Sequence, residues 1–142
     1  MRTPDVELAE RVLAQIETHP EQWRQGLWAL RTDCGTAYCF AGWAVKLGLP
    51  QAEFLFGTAT YTDTQAVYVH VPGEGAGSIQ AYAAEALGLG PEAADALFWG
   101  ENTLDELRAY VRSLKENGWL APTQRYLDAQ SDDEEDDNNA AY

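Results

Sequence analysis

The stretch D-C-G-T-A-Y-C-F-A-G-W-A-V-K-L, Asp33 to Leu47, decides how the rest of the chain is read. Gly35 and Thr36 have the form of a turn followed by an N-cap, because a threonine oxygen can accept from the free amide of the second or third helical residue. Ala37 to Leu47 then reads as helix, with Gly48 at the left-handed C-cap position and Pro50 as a stop. Lys46 is the only charged residue between these caps. Phe40, Trp43, Ala44 and Leu47 make an apolar stripe that Ala37, Ala41 and Val45 widen, which is the pattern of a buried helix. Gly42 in mid-helix costs about 1 kcal/mol relative to Ala. Together with Ala41 and Ala44 it lets a neighbouring helix come close, and close packing is the expected compensation.

Cys34 and Cys39 bracket the cap. A thiol near a helix N-terminus feels the positive end of the dipole, which can lower its pKa. Redox chemistry, metal binding and simple burial are therefore all open. A zinc site needs about four ligands, and the other soft candidates, His19 and His70, are far away in sequence. The spacing of the two cysteines matches no common zinc knuckle, and nothing in it supports a Cys–His nucleophile. Burial is the favoured reading, so Cys34, Gly35, Thr36, Cys39, Gly42 and Trp43 are expected to be mainly structural. A thiol-dependent redox or metal-binding protein using Cys34 and Cys39 is the alternative. No catalytic residue, metal or cofactor is assigned.

The pattern C-G-T-x-x-C-x-A-G-W-A resembles a motif of small, uncharacterised proteins of bacteriophages and bacteria, notably actinobacterial phages. His19-Pro20-Glu21-Gln22-Trp23 upstream fits the same pattern. So does A-L-G-L-G-P-E-A-A-D-A-L-F, Ala86 to Phe98, followed by N-T-L-D-E-L. The resemblance covers roughly residues 10 to 115. It marks a family and implies a packing role for His19 beside Trp23, but it carries no activity with it.

Composition narrows the function classes. A chain of 142 residues suggests one domain with one core. Hydrophobic residues make up 46% and five are Trp, enough for a sizeable core. The formal net charge of −14 repels nucleic acid phosphates, so direct DNA or RNA binding is not expected. Basic protein surfaces are the natural partners. No signal peptide is apparent and no apolar run approaches the roughly 20 residues of a membrane span. Two cysteines do not make a disulfide framework, so a cytoplasmic setting with free thiols is expected.

Read in order, the chain is expected to be mainly α. It forms a compact domain of about five to six short helices over residues 1–120, with a small β-hairpin insertion. Thr3-Pro4 opens the first helix, whose apolar face is Val6, Ala9, Val12, Leu13 and Ile16. Pro20 to Gly26 reads as a short second helix. Trp23 and Trp28 are the candidate binding aromatics, although core or groove positions are the commoner use of such residues. Gln51 to Phe56 reads as one or two helical turns. Thr58 to Thr62 and Val67 to Val71 have β-propensity, and Asp63-Thr64-Gln65 is the expected hairpin turn. Val67, Val69 and Val71 should then face inward and His70 outward.

P-G-E-G-A-G, Pro72 to Gly77, lacks the Lys-Ser/Thr of a phosphate loop and reads as a flexible connector. Ser78 caps a helix from Ile79 to Leu87, ended by Gly88, and Gly90-Pro91-Glu92 opens the next one, as in an αα-hairpin or corner. Asp95, Glu101 and Asp105 lack the spacing of a calcium loop. Thr103 to Glu106 is a capping box for a helix that stops at Asn117-Gly118.

From Ala121 to Tyr142 the expectation is an acidic, disordered tail. Asp132, Asp133, Glu134, Glu135, Asp136 and Asp137 are consecutive; they repel one another and cannot bury surface. Without those six acids the chain still carries about −8. The function expected from all this is a non-enzymatic, acidic protein-interaction module of unassigned oligomeric state. A phage accessory protein that binds a host or phage protein is one form of it, and DNA mimicry by spaced carboxylates is a version of that.

Overall fold

In the computed structural model, which describes residues 3–32, 35–56 and 64–130, the central stretch is divided between a strand and a helix. The element order begins with α1 (Val6–Thr18), a 3-10 turn (Pro20–Gln22), β1 (Ala29–Thr32) and β2 (Gly35–Tyr38). It continues with α2 (Phe40–Gly48), β3 (Glu53–Phe54), β4 (Thr64–Ala66), β5 (Tyr68–Val71) and β6 (Gly75–Ser78). It closes with α3 (Ile79–Leu87), α4 (Pro91–Leu97) and α5 (Leu104–Asn117). Residues 124–130 add a last helix, α6.

The mainly-α expectation is overturned. The strands make two three-stranded antiparallel sheets, ordered β2-β1-β4 and β3-β5-β6. Gly35-Thr36-Ala37-Tyr38, expected as the cap and first turn of a helix, pairs instead with β1, placing Thr36 opposite Arg31 and Tyr38 opposite Ala29. The helix therefore starts later, and Cys39 is its N-cap. Thr64 and Gln65, expected in a turn, belong to a strand that pairs with Arg31 and Leu30. The other half of the expected hairpin, Thr58 to Thr62, lies outside the described residues. Tyr68 to Val71 pairs instead with β3 and β6.

Two more segments turn from helix or loop into strand for packing reasons. Phe54 sits 5.1 Å from the Tyr38 ring and 6.3 Å from Phe56. That two-residue alternation around the exposed Leu55 is extended, not helical. In the glycine-rich segment the turn takes only the first residues. Glu74 N–H donates to the Val71 carbonyl at 2.9 Å, and Gly75 to Ser78 return along β5. Gly77 lies under the Tyr82 ring, where an added Cβ would stand 2.9 Å from the ring edge. The Tyr82 hydroxyl donates to the Gly75 carbonyl at 2.7 Å. Along β5 Val69 and Val71 are buried and Tyr68 and His70 exposed, whereas Val67, at the bend before the strand, is also exposed.

The helices follow their local signals more closely. Asp5, not Thr3, caps α1, its carboxylate accepting from Leu8 N–H at 2.9 Å. Leu8, Ala9, Val12 and Ile16 form the buried face of α1. Ser78 and Gly88 bound α3, Pro91 opens α4, and Thr103 with Glu106 forms the capping box of α5, which Gly118 ends. Pro20 starts only a 3-10 turn, and the backbone is extended by Trp23.

Beyond Leu120, where the disordered tail is expected to start, α6 packs back on the domain. Tyr126 meets Trp99 edge-on at 5.5 Å, and the Arg125 guanidinium lies over the Trp99 ring at 4.6 Å. Arg125 also holds Glu106 through two hydrogen bonds of 2.6 and 3.1 Å. That pair, with the capping box, pulls the Glu106 carboxyl down to about 2. Asp132 to Asp137 lie outside the described residues.

The core is centred on α2, which touches α1, α3 and β2. Its residues Phe40 to Val45 are all buried. Gly42 is needed for close approach, although to a different neighbour than a helix. A Cβ added there would stand 2.2 Å from the Trp28 carbonyl and 2.9 Å from Tyr38 Cβ. Both contacts are with rigid parts of the β1–β2 region, so neither can move aside cheaply. Gly42→Ala is therefore expected to lower stability by about 2–4 kcal/mol, despite the roughly 1 kcal/mol that helix propensity favours Ala. Urea denaturation of the two proteins reads this directly; an unchanged or raised midpoint would mean that the contact is not rigid.

Candidate functional site

The described motif residues collect at one corner, and the residue that joins them is Gln25. Gln25 is buried at 8% exposure, and a buried amide must satisfy both its donors and its acceptor. Its Oε1 accepts from Phe40 N–H at 3.1 Å and from Trp23 Nε1 at 3.0 Å. Its Nε2 donates to the carbonyls of Leu97 at 3.3 Å and Trp99 at 3.0 Å. One side chain therefore satisfies a free amide at the start of α2 and free carbonyls at the end of α4. Asn102 shares the second task, donating to the Ala96 and Leu97 carbonyls at 2.8 and 2.9 Å. Neither amide is singled out by the sequence. Gln25 sits among polar residues with no periodic pattern, and its partners are far along the chain.

Cys39 is the second part of the corner. Its sulfur accepts from Gly42 N–H at 3.4 Å, its thiol donates to the Trp28 carbonyl at 3.7 Å, and its own N–H reaches that carbonyl at 3.4 Å. Burial pushes the thiol up to about 11, against the smaller opposing pull of the backbone amides at the helix start. Desolvation outweighs the helix end here. The thiol is the cap of α2 and stays protonated at neutral pH. Cys34 lies outside the described residues.

The remaining named residues are held by neighbours rather than left open. Trp43 Nε1 donates to the Gln22 carbonyl at 3.0 Å, and its ring meets Tyr38 at 4.8 Å. Trp23 and Trp28 are half-buried; Trp28 packs edge-on against Phe98 at 6.4 Å. Gly35 and Thr36 lie in β2. His19, exposed, stands 3.4 Å from Glu21. His70 is exposed across from Glu53 and Ala76. Among the described residues no three of His, Cys, Asp and Glu come together as metal ligands. The corner can position helices.

The surface carries the other candidate chemistry. Arg108 is taken by Glu17 and Asp105, Lys115 by Glu10, and Arg125 by Glu106. Exposed apolar side chains are Leu55, Val67, Tyr68, Trp119 and Leu127. Comparison with protein-family models, with curated proteins and with solved structures finds no match to the chain.

Two outcomes check the corner. Gln25→Ala removes the partner of the Phe40 amide and one of two donors to each of the Leu97 and Trp99 carbonyls, which Asn102 also serves, at a cost of about 1–3 kcal/mol. The exposed Gln124→Ala should stay within about 0.5 kcal/mol, both read by thermal or urea unfolding. For Cys39, iodoacetamide at pH 8 with peptide mapping should find it unmodified in the native protein and modified in denaturant. The linkage has a definite sign. The unfolded thiol loses its proton near its ordinary value of 9.0 and the folded one near 11. Stability from the neutral thiol is thus fully present below about 9 and falls as pH climbs through about 11. Cys39→Ser should flatten that alkaline decline relative to the parent protein.

Proposed function

We propose that this chain is a non-enzymatic, acidic protein-interaction module whose partner presents a basic surface. The observation that carries the reading is the charge: −14 overall, with six acids in one run and about −8 elsewhere. Such a field attracts basic surfaces, speeds their encounter and repels phosphate backbones. Among the described residues three cations, Arg108, Lys115 and Arg125, are held in ion pairs with carboxylates. Among the described residues no helix is long and apolar enough to cross a membrane.

The setting proposed is the cytoplasm of a bacterial host. The chain acts there as an accessory protein of the phage and bacterial kind that its central motif resembles. DNA mimicry, with carboxylates occupying a DNA-binding groove, is the specific form that the acidic run suggests. Use of Cys39 as a reactive thiol is disfavoured by its burial and its raised pKa.

The test compares the full chain with a version ending at Gln130, which keeps the Arg125–Glu106 pair and the Trp99–Tyr126 contact. A partner captured from bacterial lysate is purified and titrated against both at low and high salt. The expected result is an affinity that falls at least about tenfold with salt, falls again on truncation, and is competed by duplex DNA if mimicry is at work. Binding unchanged by salt and by truncation would overturn the acidic reading.

A further inference from the structure

α6 is held to the domain by a few directed contacts, and most of them converge on one guanidinium. Arg125 Nε donates to Glu106 Oε2 at 3.1 Å, and Nη2 donates to Glu106 Oε1 at 2.6 Å. Nη2 also donates to the Glu101 carbonyl. The guanidinium lies over the Trp99 ring, its carbon 4.6 Å from the ring centroid. Tyr126, next along α6, meets the same indole edge-on at 5.5 Å. Both oxygens of one carboxylate, one carbonyl and one aromatic face are thus arranged for a planar, forked cation. A lysine ammonium does not match them, since it is a point charge with no plane to stack.

This seat belongs to the body of the domain. Glu106 lies in the first turn of α5, where the Thr103 N–H donates to its Oε1 at 2.9 Å and fixes its position. Its side chain is 16% exposed, against 49% for that of Arg125. The buried Tyr110 adds a hydroxyl that accepts from Thr123 N–H at 3.0 Å, at the start of α6. α6 is less committed than its seat. It runs from 124 to 130, and none of its residues is buried. A helix that short has little stability of its own in water, so its order depends on the contacts at Trp99, Glu106 and Tyr110. Leu120 is the last buried residue among those described, which leaves Ala121 and Pro122 as the point about which α6 can swing.

We propose that the seat made by Glu106, Trp99 and the Glu101 carbonyl binds an arginine of a partner protein, and that α6 is its internal occupant, displaced when the partner docks. The ligand class is an arginine followed by an aromatic residue on a short helical segment, the pattern that Arg125 and Tyr126 display. The occupant in place defines the chemistry: two charge-assisted hydrogen bonds, one carbonyl and a stacked ring select a guanidinium. Being tethered, α6 competes at an effective concentration on the order of millimolar. A lone arginine peptide therefore binds the closed chain weakly, and a partner must add contacts beyond the seat to open it. The inference rests on the interaction-module reading and gives it a place and a partner residue.

The test uses the full chain. Arg125→Ala with Tyr126→Ala withdraws both side chains from the seat. The probe is a peptide with the sequence of residues 121–130, A-P-T-Q-R-Y-L-D-A-Q, beside a copy with lysine in place of arginine. Binding is followed by the Trp99 indole N–H signal in NMR titrations. The double variant should bind the arginine peptide at least about tenfold tighter than the parent chain does, because the tethered competitor is gone. The lysine peptide should bind the double variant about tenfold more weakly than the arginine peptide. Adding Glu106→Gln should weaken the arginine peptide by about tenfold as well. A glutamine can still accept from the Thr103 N–H, so the capping box is kept, and an unaltered melting temperature checks this. The lysine peptide reads the same geometry with no further change to the chain.

Arginine-peptide binding that is no tighter in the double variant than in the parent, or that is matched by the lysine peptide, would overturn the seat. So would indifference to Glu106→Gln. If salt-sensitive binding of a captured basic partner survived that result, the acidic-module reading would stand without the seat. A seat that takes the arginine peptide while the captured partner ignores Glu106→Gln would overturn its role in partner binding.

Discussion

The fold depends on a buried side-chain amide used to full capacity. Gln25 accepts from the start of α2 and donates to the end of α4, so two helix ends are joined through one residue. Helix ends are the weak points of a helical core, because each leaves backbone groups without intrahelical partners. The short connection between α4 and α5 uses a second buried amide, Asn102, which shares the Leu97 carbonyl and adds that of Ala96. Around this corner Trp23, Trp43 and Phe98 fill the apolar volume, and Gly42 lets α2 settle against the Trp28 carbonyl.

The same corner explains why the thiol is not poised for chemistry. A helix N-terminus favours thiolate when water or a cation can share the charge. Cys39 has neither, being buried among Trp28, Gly42 and the start of α2. Its sulfur takes the place that a serine or threonine oxygen ordinarily takes at a cap. The motif is thus a packing motif at Cys39, Gly42 and Trp43.

Charge is distributed differently from packing. The cations Arg108, Lys115 and Arg125 each lie against a carboxylate, two of them binding α1 to α5 and the third tying α6 to the capping box of α5. These exposed pairs add little stability individually, but they neutralise the surface where helices meet. Among the described residues the acids of α4, Glu92 and Asp95, are in no ion pair, and the densest acidic run follows Gln130 in the sequence.

What was legible in the sequence was local. Ser78, Gly88, Pro91, Thr103 with Glu106, and Gly118 each act within a few residues, and the helices they bound are α3, α4 and α5. Of the strands, β5 was legible from the alternation of Val69, His70 and Val71; the others were not, because they are two to four residues long and are stabilised by partners elsewhere. Gly35 to Tyr38 carries a cap signal, yet it is a strand because Ala29 to Thr32 lies beside it. Glu53-Phe54 follows a turn, yet it pairs with Val69-His70. Gln25 was invisible for the same reason, since three of its four hydrogen bonds span 15, 72 and 74 residues. The sequence by itself determined the charge, the helix caps and the apolar faces, all of which are set by neighbours along the chain. Only the tertiary structure decided the sheets and the burial of Cys39. Those depend on which distant backbone groups and side chains meet, and on the cost of leaving a buried polar group unpaired.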